Sequence, residues 1–547
     1  MFRDKTAYPV YLTIGNVRKD VRRKPSRRAQ MLVAYIPITK FEGIHTRTGR
    51  RRALANLFHA CMQHLLAPIG PVGETGIEMM SGDGIWRRCH PIFAIFVGDY
   101  PEQVLVSCTF NGYCPKCTVP HGQLGEYGAF PLRNYGEALN VYQLADDADT
   151  RVFHAACRET GLKPVYHPFW ESLPLSNIYV SITPDILHQM LQGMMKHLIS
   201  WLTRPNTFGA AEIDARCRSL PPNHHIKQFP KGITALSRVS GGEHKNMCRI
   251  LIGLIINLLL PGGQVPSRVI KAVRALLDFL YIAQLPSQTT DTLRRLDESL
   301  VLFHQNKAVF VDLGVREQFN LPKLHSLIHY QSSIALFGTA DNYNTEQSER
   351  LHIDFAKDAY RATNRKDEYP QMALWLERRE KVQQHAAVIQ GRLRATHDRN
   401  THEAIPSPAK PIGPPGPGTR HLKMTRNPTR MKVFFEELAQ VYGATYFQDA
   451  LGDFIARLNH PGASTATLND RASNTLIPFR SVSVFHKFKF SHSDANGSDI
   501  VDAVYVRPEQ TDPQGRTIPS RFDTILVRGK RDNIHGVNGK YHSYRVQ

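Results

Sequence analysis

The chain has 547 residues, 42% of them hydrophobic and 21% charged, with 68 Lys plus Arg against 48 Asp plus Glu for a formal net charge of +20. This length and balance point to a packed globular protein of roughly two to four domains. Eight Cys in so long a chain exclude a disulfide-built scaffold and imply a reducing compartment, and the positive excess favours a polyanionic partner, most simply nucleic acid.

In chain order, "MFRDKTAYPVYL" has no apolar core of the length a signal peptide needs. "AYPVYLTIGNV" predicts a strand over 8–16, closed by Gly15 and Asn16. A strand so close to Met1 raises the expectation that the front of a domain is missing. A strongly basic loop, "RKDVRRKPSRRAQ", covers 18–30, and "MLVAYIPI" predicts a second strand over 31–38. Leu54, Leu57, Phe58, Cys61 and Leu65 have helical spacing within 51–69. "CHPIFAIFVGDY" (89–100) reads as an apolar strand ending at Asp99, and "QVLVSCTF" (103–110) as its hairpin partner through Pro101. A compact loop over 112–122 follows.

From 130 to 340 the reading is mostly helical, with helices expected at 183–202, 243–260 and 267–285. The longest apolar run, "ILIGLIINLLLPGG", has roughly ten residues before Pro261, too few to span a bilayer. Further helices are expected at 345–361 and 371–389. "IPSPAKPIGPPGPGT" (405–419) is a Pro/Gly linker. Beyond it come helices at 431–442 and 446–458 and strand-like pieces such as "FRSVSVFHKFKF" and "DIVDAVYV". The expected organisation is a sheet portion with the Cys loop at 1–125 and a helical insertion at 126–340. The helix carrying Glu346 and Glu349, with the helix after it, fills 341–395. The linker occupies 396–420, and an accessory α+β segment 421–547.

Several groups can carry chemistry. Asp99 at a strand end is either a turn residue before proline, the commoner case, or an acid at a sheet opening. Cys114 and Cys117 form C-P-K-C, half of a zinc site. His121, His188 and other histidines of the helical region are candidates to complete it. Asp185 and His188 lie three apart at a helix start, where Thr183 or Asp185 can also serve as a cap. His325 and His329, four apart, suit a metal or a packed, hydrogen-bonded pair, and packing is the preferred reading. Glu346 and Glu349 open a helix whose later part holds His352, Lys357, Arg361, Arg365 and Lys366. Acids first and bases last suit the helix dipole alone. Yet Asp99 with Glu349 also supplies the oxygen ligands of a divalent-ion site. What that site lacks is a third carboxylate on an earlier strand.

In combination these segments are specific. "AYPVYLTIGNVRKDVRRKPSRRAQMLVAYIP", "VGDYPEQVLVSC", "CPKC", "SITPDILHQMLQGMMKHLISWL", "LPKLHSLIHY" and "NTEQSERLHIDFAKDAYRATNRKDEYPQMALWLERRE" resemble the Plavaka transposases, a fungal branch related to the CACTA transposons. The resemblance covers about residues 7–390. It implies an α/β, RNase H-like mixed sheet with a DDE triad and a large helical insertion. A C-x-x-C and a D-x-x-H accompany that insertion, and a strand-rich C-terminal segment follows. Asp99 then matches the second Asp, Glu349 the Glu (with Glu346 as the alternate), Cys114 and Cys117 the C-x-x-C, and Asp185 and His188 the D-x-x-H.

The implied cofactor is Mg²⁺ or Mn²⁺, held by Asp99 and Glu349. Zn²⁺ is implied at Cys114, Cys117 and His188. The implied partner is DNA, as transposon ends and target, contacted by Lys357, Arg361 and Arg365. A homo-oligomer, a nuclear location and no membrane association complete the picture. The first catalytic Asp belongs on a strand upstream of "YPVYLTIGN", where this sequence has only Asp4. The expectation is therefore a transposase-derived protein that is inactive or incomplete. The alternatives are a non-catalytic DNA-binding protein retained from a transposon, a zinc-stabilised scaffold for protein partners, and an RNase H-like nuclease unrelated to transposition.

Overall fold

The computed structural model describes residues 7–81, 83–147, 149–221, 223, 226–400, 421–424, 428–460, 462–493, 499–511, 515, 517–528 and 541–545. Asp4 and the Pro/Gly segment 405–419 lie outside them. The chain divides into two compact units, Met1–Ala395 and Thr396–Gln547. The fold is mixed α/β, rich in helix, with small antiparallel sheets.

The first unit opens with an antiparallel ribbon, Tyr8–Thr13 paired to Gln30–Ile36, with Tyr8 opposite Ile36 and a register shift between Val10 and Tyr11. Its aromatic and β-branched residues suit extended backbone. Tyr8 stacks on Phe58 of the helix Arg47–Leu66, and Tyr11 meets His352 and Phe355. The ribbon thus lies on the helical segment that carries Glu349. The basic loop between its strands is partly a structural dock. Lys19 pairs with Asp341 at 3.4 Å, and buried Arg22 donates to the Asn342 Oδ1 at 2.6 Å and to the Gly15 carbonyl at 3.2 Å.

The segment around Asp99 differs from expectation. Phe96 makes a single parallel bridge to Ile182, and residues 103–106, expected as strand, belong to the helix Tyr100–Val106. Asp99 is its N-cap: its carboxylate accepts the Glu102 N–H at 3.0 Å. Pro101 and Glu102 fill the first turn, where a missing N–H and a negative charge are both favourable. The apolar run Val104–Leu105–Val106, with its two valines, reads as strand by propensity, but the cap and the proline decide the local conformation. In the second unit, Arg430–Phe434 is likewise a strand, and the helix begins only at Phe435.

Two cores build the first unit. One gathers Phe58, Met62, Phe153, Phe169, Trp170 and Tyr179 around the ribbon and its helices. The larger is helical. The π-helical turn-widened stretch Ile186–Met195 runs into Lys196–Leu202 and packs with Gly241–Ile255, Ser267–Ala283 and Thr290–Asn306. The apolar run near 250 is buried here, and among the described residues no helix is long and apolar enough to cross a membrane. In the second unit a four-stranded antiparallel sheet has the order Arg521–Phe522, Asp499–Arg507, Lys487–Ser493, His421–Met424. A small core of Val433, Leu438 and Tyr442 lies elsewhere in that unit.

Leu280, 1% exposed in Ser267–Ala283, tests the helical core. Leu280→Ala is expected to lower unfolding free energy by about 2–5 kcal/mol in urea denaturation, since transfer and cavity terms add. A loss below about 1 kcal/mol would contradict this packing.

Candidate functional site

Asp185 is 1% exposed; it caps Ile186–Met195 and also accepts the first N–H of Thr345–His352, whose own cap is Asn344. Its Oδ2 accepts the His188 N–H at 2.7 Å and its Oδ1 the Thr345 N–H at 3.0 Å. Oδ2 also takes the Thr345 hydroxyl at 2.8 Å and meets the His188 Nδ1 at 2.9 Å. The D-x-x-H pair thereby fixes the start of the helix Thr345–His352 against the start of Ile186–Met195.

The imidazole of His188 then reaches Glu349, with Nε2 3.0 Å from Oε1. Burial works against its charge, but the hydrogen bonds and charges of Asp185 and Glu349 prevail and push His188 up to about 10. Glu349 is about half exposed. Glu346, one turn earlier, is engaged differently: Lys245 pairs with it at 2.7 Å, and the Asn344 amide donates to it at 3.0 Å. The two acids therefore have different partners.

Asp99 reaches the same neighbourhood through Glu102, a residue missed in the sequence reading. Burial and then the charge of Asp99 raise the Glu102 carboxyl to about 7, while the Tyr8 hydroxyl and the His188 charge pull it back. The signal was present as an acid in the first turn after an N-cap Asp, but it is legible only once 100–106 is a helix. Asp99, Glu102, Asp185, His188 and Glu349 thus form one electrostatically coupled group. Lys323 also feels the charges of Asp99 and Asp185.

A second centre lies on the C-P-K-C loop. Cys114, Cys117, His325 and His329 bring four ligand atoms within 4.8 Å of one another. Cys117 Sγ is 3.0 Å from His325 Nε2, and Cys114 Sγ is 3.3 Å from His329 Nε2. A tetrahedral zinc with two thiolates and two imidazoles has ligand–ligand edges of roughly 3.5 Å, so the donor set and its spacing fit that ion. The Cys114 thiol accepts the Lys116 and Cys117 backbone N–H groups, both at 3.4 Å. Burial opposes its ionisation, but hydrogen bonding from Cys117 and the charge of His329 hold Cys114 well below the usual thiol range.

His325 and His329, for which packing was the preferred reading, complete this quartet. His188, expected at a zinc, is committed to Asp185 and Glu349, and the His121 ring lies against Tyr113. Among the described residues no other group of three or more such ligands converges in this way. The carboxylates are therefore neighbours without forming a closed ion cage.

The expected DNA-contacting cations are scattered by comparison. Lys357 is half-buried in the π-helical stretch Ile353–Asp358, Arg361 pairs with Asp358 at 2.9 Å, and Arg365 is exposed with a left-handed backbone. His352 packs against Tyr11. Arg23, Arg27 and Arg28 of the basic loop are exposed.

The fold and these centres define a helix-rich α/β protein that joins a carboxylate–histidine cluster to a Cys/His quartet fit for a metal ion. Residues 1–202 match the family model described as Plavaka transposase, which supports the resemblance drawn from the motifs. Asp99, Glu102, the C-P-K-C loop, Asp185 and His188 lie inside the matched segment. Glu346, Glu349, His325 and His329 lie beyond it. No curated protein matches the chain.

Purified without chelator, the full chain is expected to hold about one zinc, measured by elemental analysis. Cys117→Ser or His325→Ala should lose it, and full retention by both variants would remove the quartet as a zinc site. A pH effect follows from Glu102, whose carboxyl stands at about 7 against an ordinary 4.5. A raised folded value means that its stabilising contribution is complete below pH 4.5 and is lost as pH rises through 7. In metal-free buffer, Glu102→Gln should flatten the fall in stability across this window by about 2–3 kcal/mol, read by denaturant titration at each pH.

Proposed function

We propose that this chain is a DNA-processing protein of the transposase type, with an RNase H-like centre built on Asp99 and Glu349. The observation that supports this reading is the clasp by which Asp185 and His188 hold the Glu349 helix, together with the Gln103 bond that ties the helix capped by Asp99 to Thr183, two residues before Asp185. The order of parts supports it too: an extended segment bridged to Ile182, an acid at its end, then a helix. Carboxylate oxygens are the donors that Mg²⁺ or Mn²⁺ prefers. Asp99 and Glu349 would hold such an ion, with Glu102 beside them, and Glu346 remains the alternate.

Bound there, a divalent ion supplies an activated water or 3′-hydroxyl and charge stabilisation at phosphorus. The chain's own contribution is placement. Asp185 fixes the Glu349 helix, His188 holds one Glu349 oxygen, and the helix cap fixes Asp99. The exposed cations Arg23, Arg27, Arg28 and Arg365, with Lys357 and Arg361, would meet phosphates and give affinity without base choice. DNA as transposon ends or target, a nuclear location and a homo-oligomer belong to the same reading. Zinc at the Cys/His quartet would have a structural part.

One observation favours a second reading, a non-catalytic DNA-binding protein. His188 already neutralises Glu349, so the acids are held together without a metal. A supercoiled-plasmid nicking and strand-transfer assay with Mn²⁺ separates the two. The catalytic reading expects cleavage that Asp99→Asn and Glu349→Gln each reduce by about 10²-fold or more. Metal-independent binding with no products selects the second. For binding itself, replacing Lys357 and Arg361 together should reduce the salt slope of DNA affinity by about 2, since each neutralised phosphate contributes about 0.9. An unchanged slope removes both residues from the interface.

A further inference from the structure

Lys116 sits inside C-P-K-C between the two thiols and is 4% exposed. A buried ammonium without a carboxylate partner is uncommon and costly unless its donors are used. Here all three donors are accounted for: Nζ donates to the carbonyls of Tyr179 at 3.1 Å, Val180 at 2.9 Å and Ile182 at 2.9 Å. Those carbonyls belong to the strap that leads directly into Thr183 and Asp185.

The strap is tied in turn to the Asp99 segment. The Gln103 amide donates to the carbonyls of Gly98 at 2.9 Å and Thr183 at 2.8 Å, and the Phe96 N–H donates to the Ser181 carbonyl at 3.0 Å. Gln189 donates to the Gln103 Oε1 at 2.9 Å and accepts the Asp185 N–H at 3.0 Å. Gln103, Asp185 and Gln189 are each 1% exposed. A continuous chain of buried hydrogen bonds therefore runs from the C-P-K-C loop to both arms of the acid cluster.

We propose that Lys116 is a positioning residue through which the Cys/His centre sets the geometry of the acid cluster, so that zinc at the first is a condition for divalent-ion binding at the second. This rests on the function proposed above only for the identity of the second ion. The mechanical part stands on the hydrogen bonds alone. Gln103 and Gln189 transmit the constraint, and neither touches a reacting group.

The test uses the zinc-loaded full chain and Lys116→Met. Three quantities are measured: zinc content, backbone hydrogen exchange by mass spectrometry, and Mn²⁺ affinity by paramagnetic resonance. The expected result is about one zinc retained, exchange in 179–189 and 98–106 faster by about tenfold, and Mn²⁺ affinity lower by about tenfold. Gln189→Leu breaks the same path without touching the Cys loop. It should give the same exchange change, and it decides the matter if Lys116→Met does not fold. Wild-type exchange across 179–189 in these variants overturns the proposal. So does loss of zinc by Lys116→Met, which would make Lys116 a part of the metal loop rather than a relay. If the wild-type chain takes up no Mn²⁺, the proposed function fails on its own, and the exchange result still decides the role of Lys116.

Discussion

One buried carboxylate holds the site in place. Asp185 accepts an orphan N–H from the first turn of each of two helices whose starts are 159 residues apart in sequence, together with a hydroxyl and an imidazole. An ionised carboxylate in the interior is tolerable only when its lone pairs are filled. The same requirement that makes Asp185 affordable also fixes the angle between Ile186–Met195 and Thr345–His352. Glu349 has its position from the helix whose first N–H Asp185 accepts. The helical bulk between the two starts supplies a rigid core of Met190, Leu191, Met194, Leu251, Leu276 and Leu280, and that core brings the chain back to the clasp.

The Cys/His quartet plays a comparable part at the other end of the strap. It joins a loop near residue 115 to a helical turn near 327 with few apolar side chains of its own: buried Val119 and Leu124 beside the two thiols, with Phe130 packed against them. A small cluster of this kind gains little from burial, so the order of the loop depends on its ligand atoms and on Lys116. These two closures are thus polar, and both are tied to the strap 179–189, one through Lys116 and one through Asp185. The apolar cores supply the bulk of the stability, while the polar closures choose which parts of the chain meet.

Much of this was legible in the sequence, and the failures have physical causes. The ribbon follows from its aromatic and β-branched content, and the long helices from period-3.6 patterning toward the cores. The segment 103–106 was misread because Gln103, Val104 and Val106 are all buried, so burial carries no periodicity there and propensity was left to decide. The cap residues Asp99, Pro101 and Glu102 held the answer, and with it the position of Glu102. The completion of the Cys pair could not be read locally. His325 and His329 lie more than 200 residues from the cysteines they meet, and four-residue spacing fits a packed pair as well as a ligand pair. Glu346 and Glu349 could not be separated until Lys245 and His188 were placed beside them.

The contact between His188 and Glu349 is where the catalytic and non-catalytic accounts part. The imidazole uses one Glu349 oxygen, Oε1, and the side chain is half exposed, so the group can offer its other oxygen outward without leaving the clasp. Asp99 has the same economy, with Oδ1 spent on its helix cap. Each acid is thus fixed by one oxygen. Burial first, and then the charge of Asp99, raise the Glu102 carboxyl to about 7. Two relief routes exist: a proton on Glu102 with His188 as the resident cation, or a divalent ion that draws on the outward oxygens. The first is a stable resting arrangement for a binding protein. The second leaves the clasp intact and changes only the outer half of the cluster.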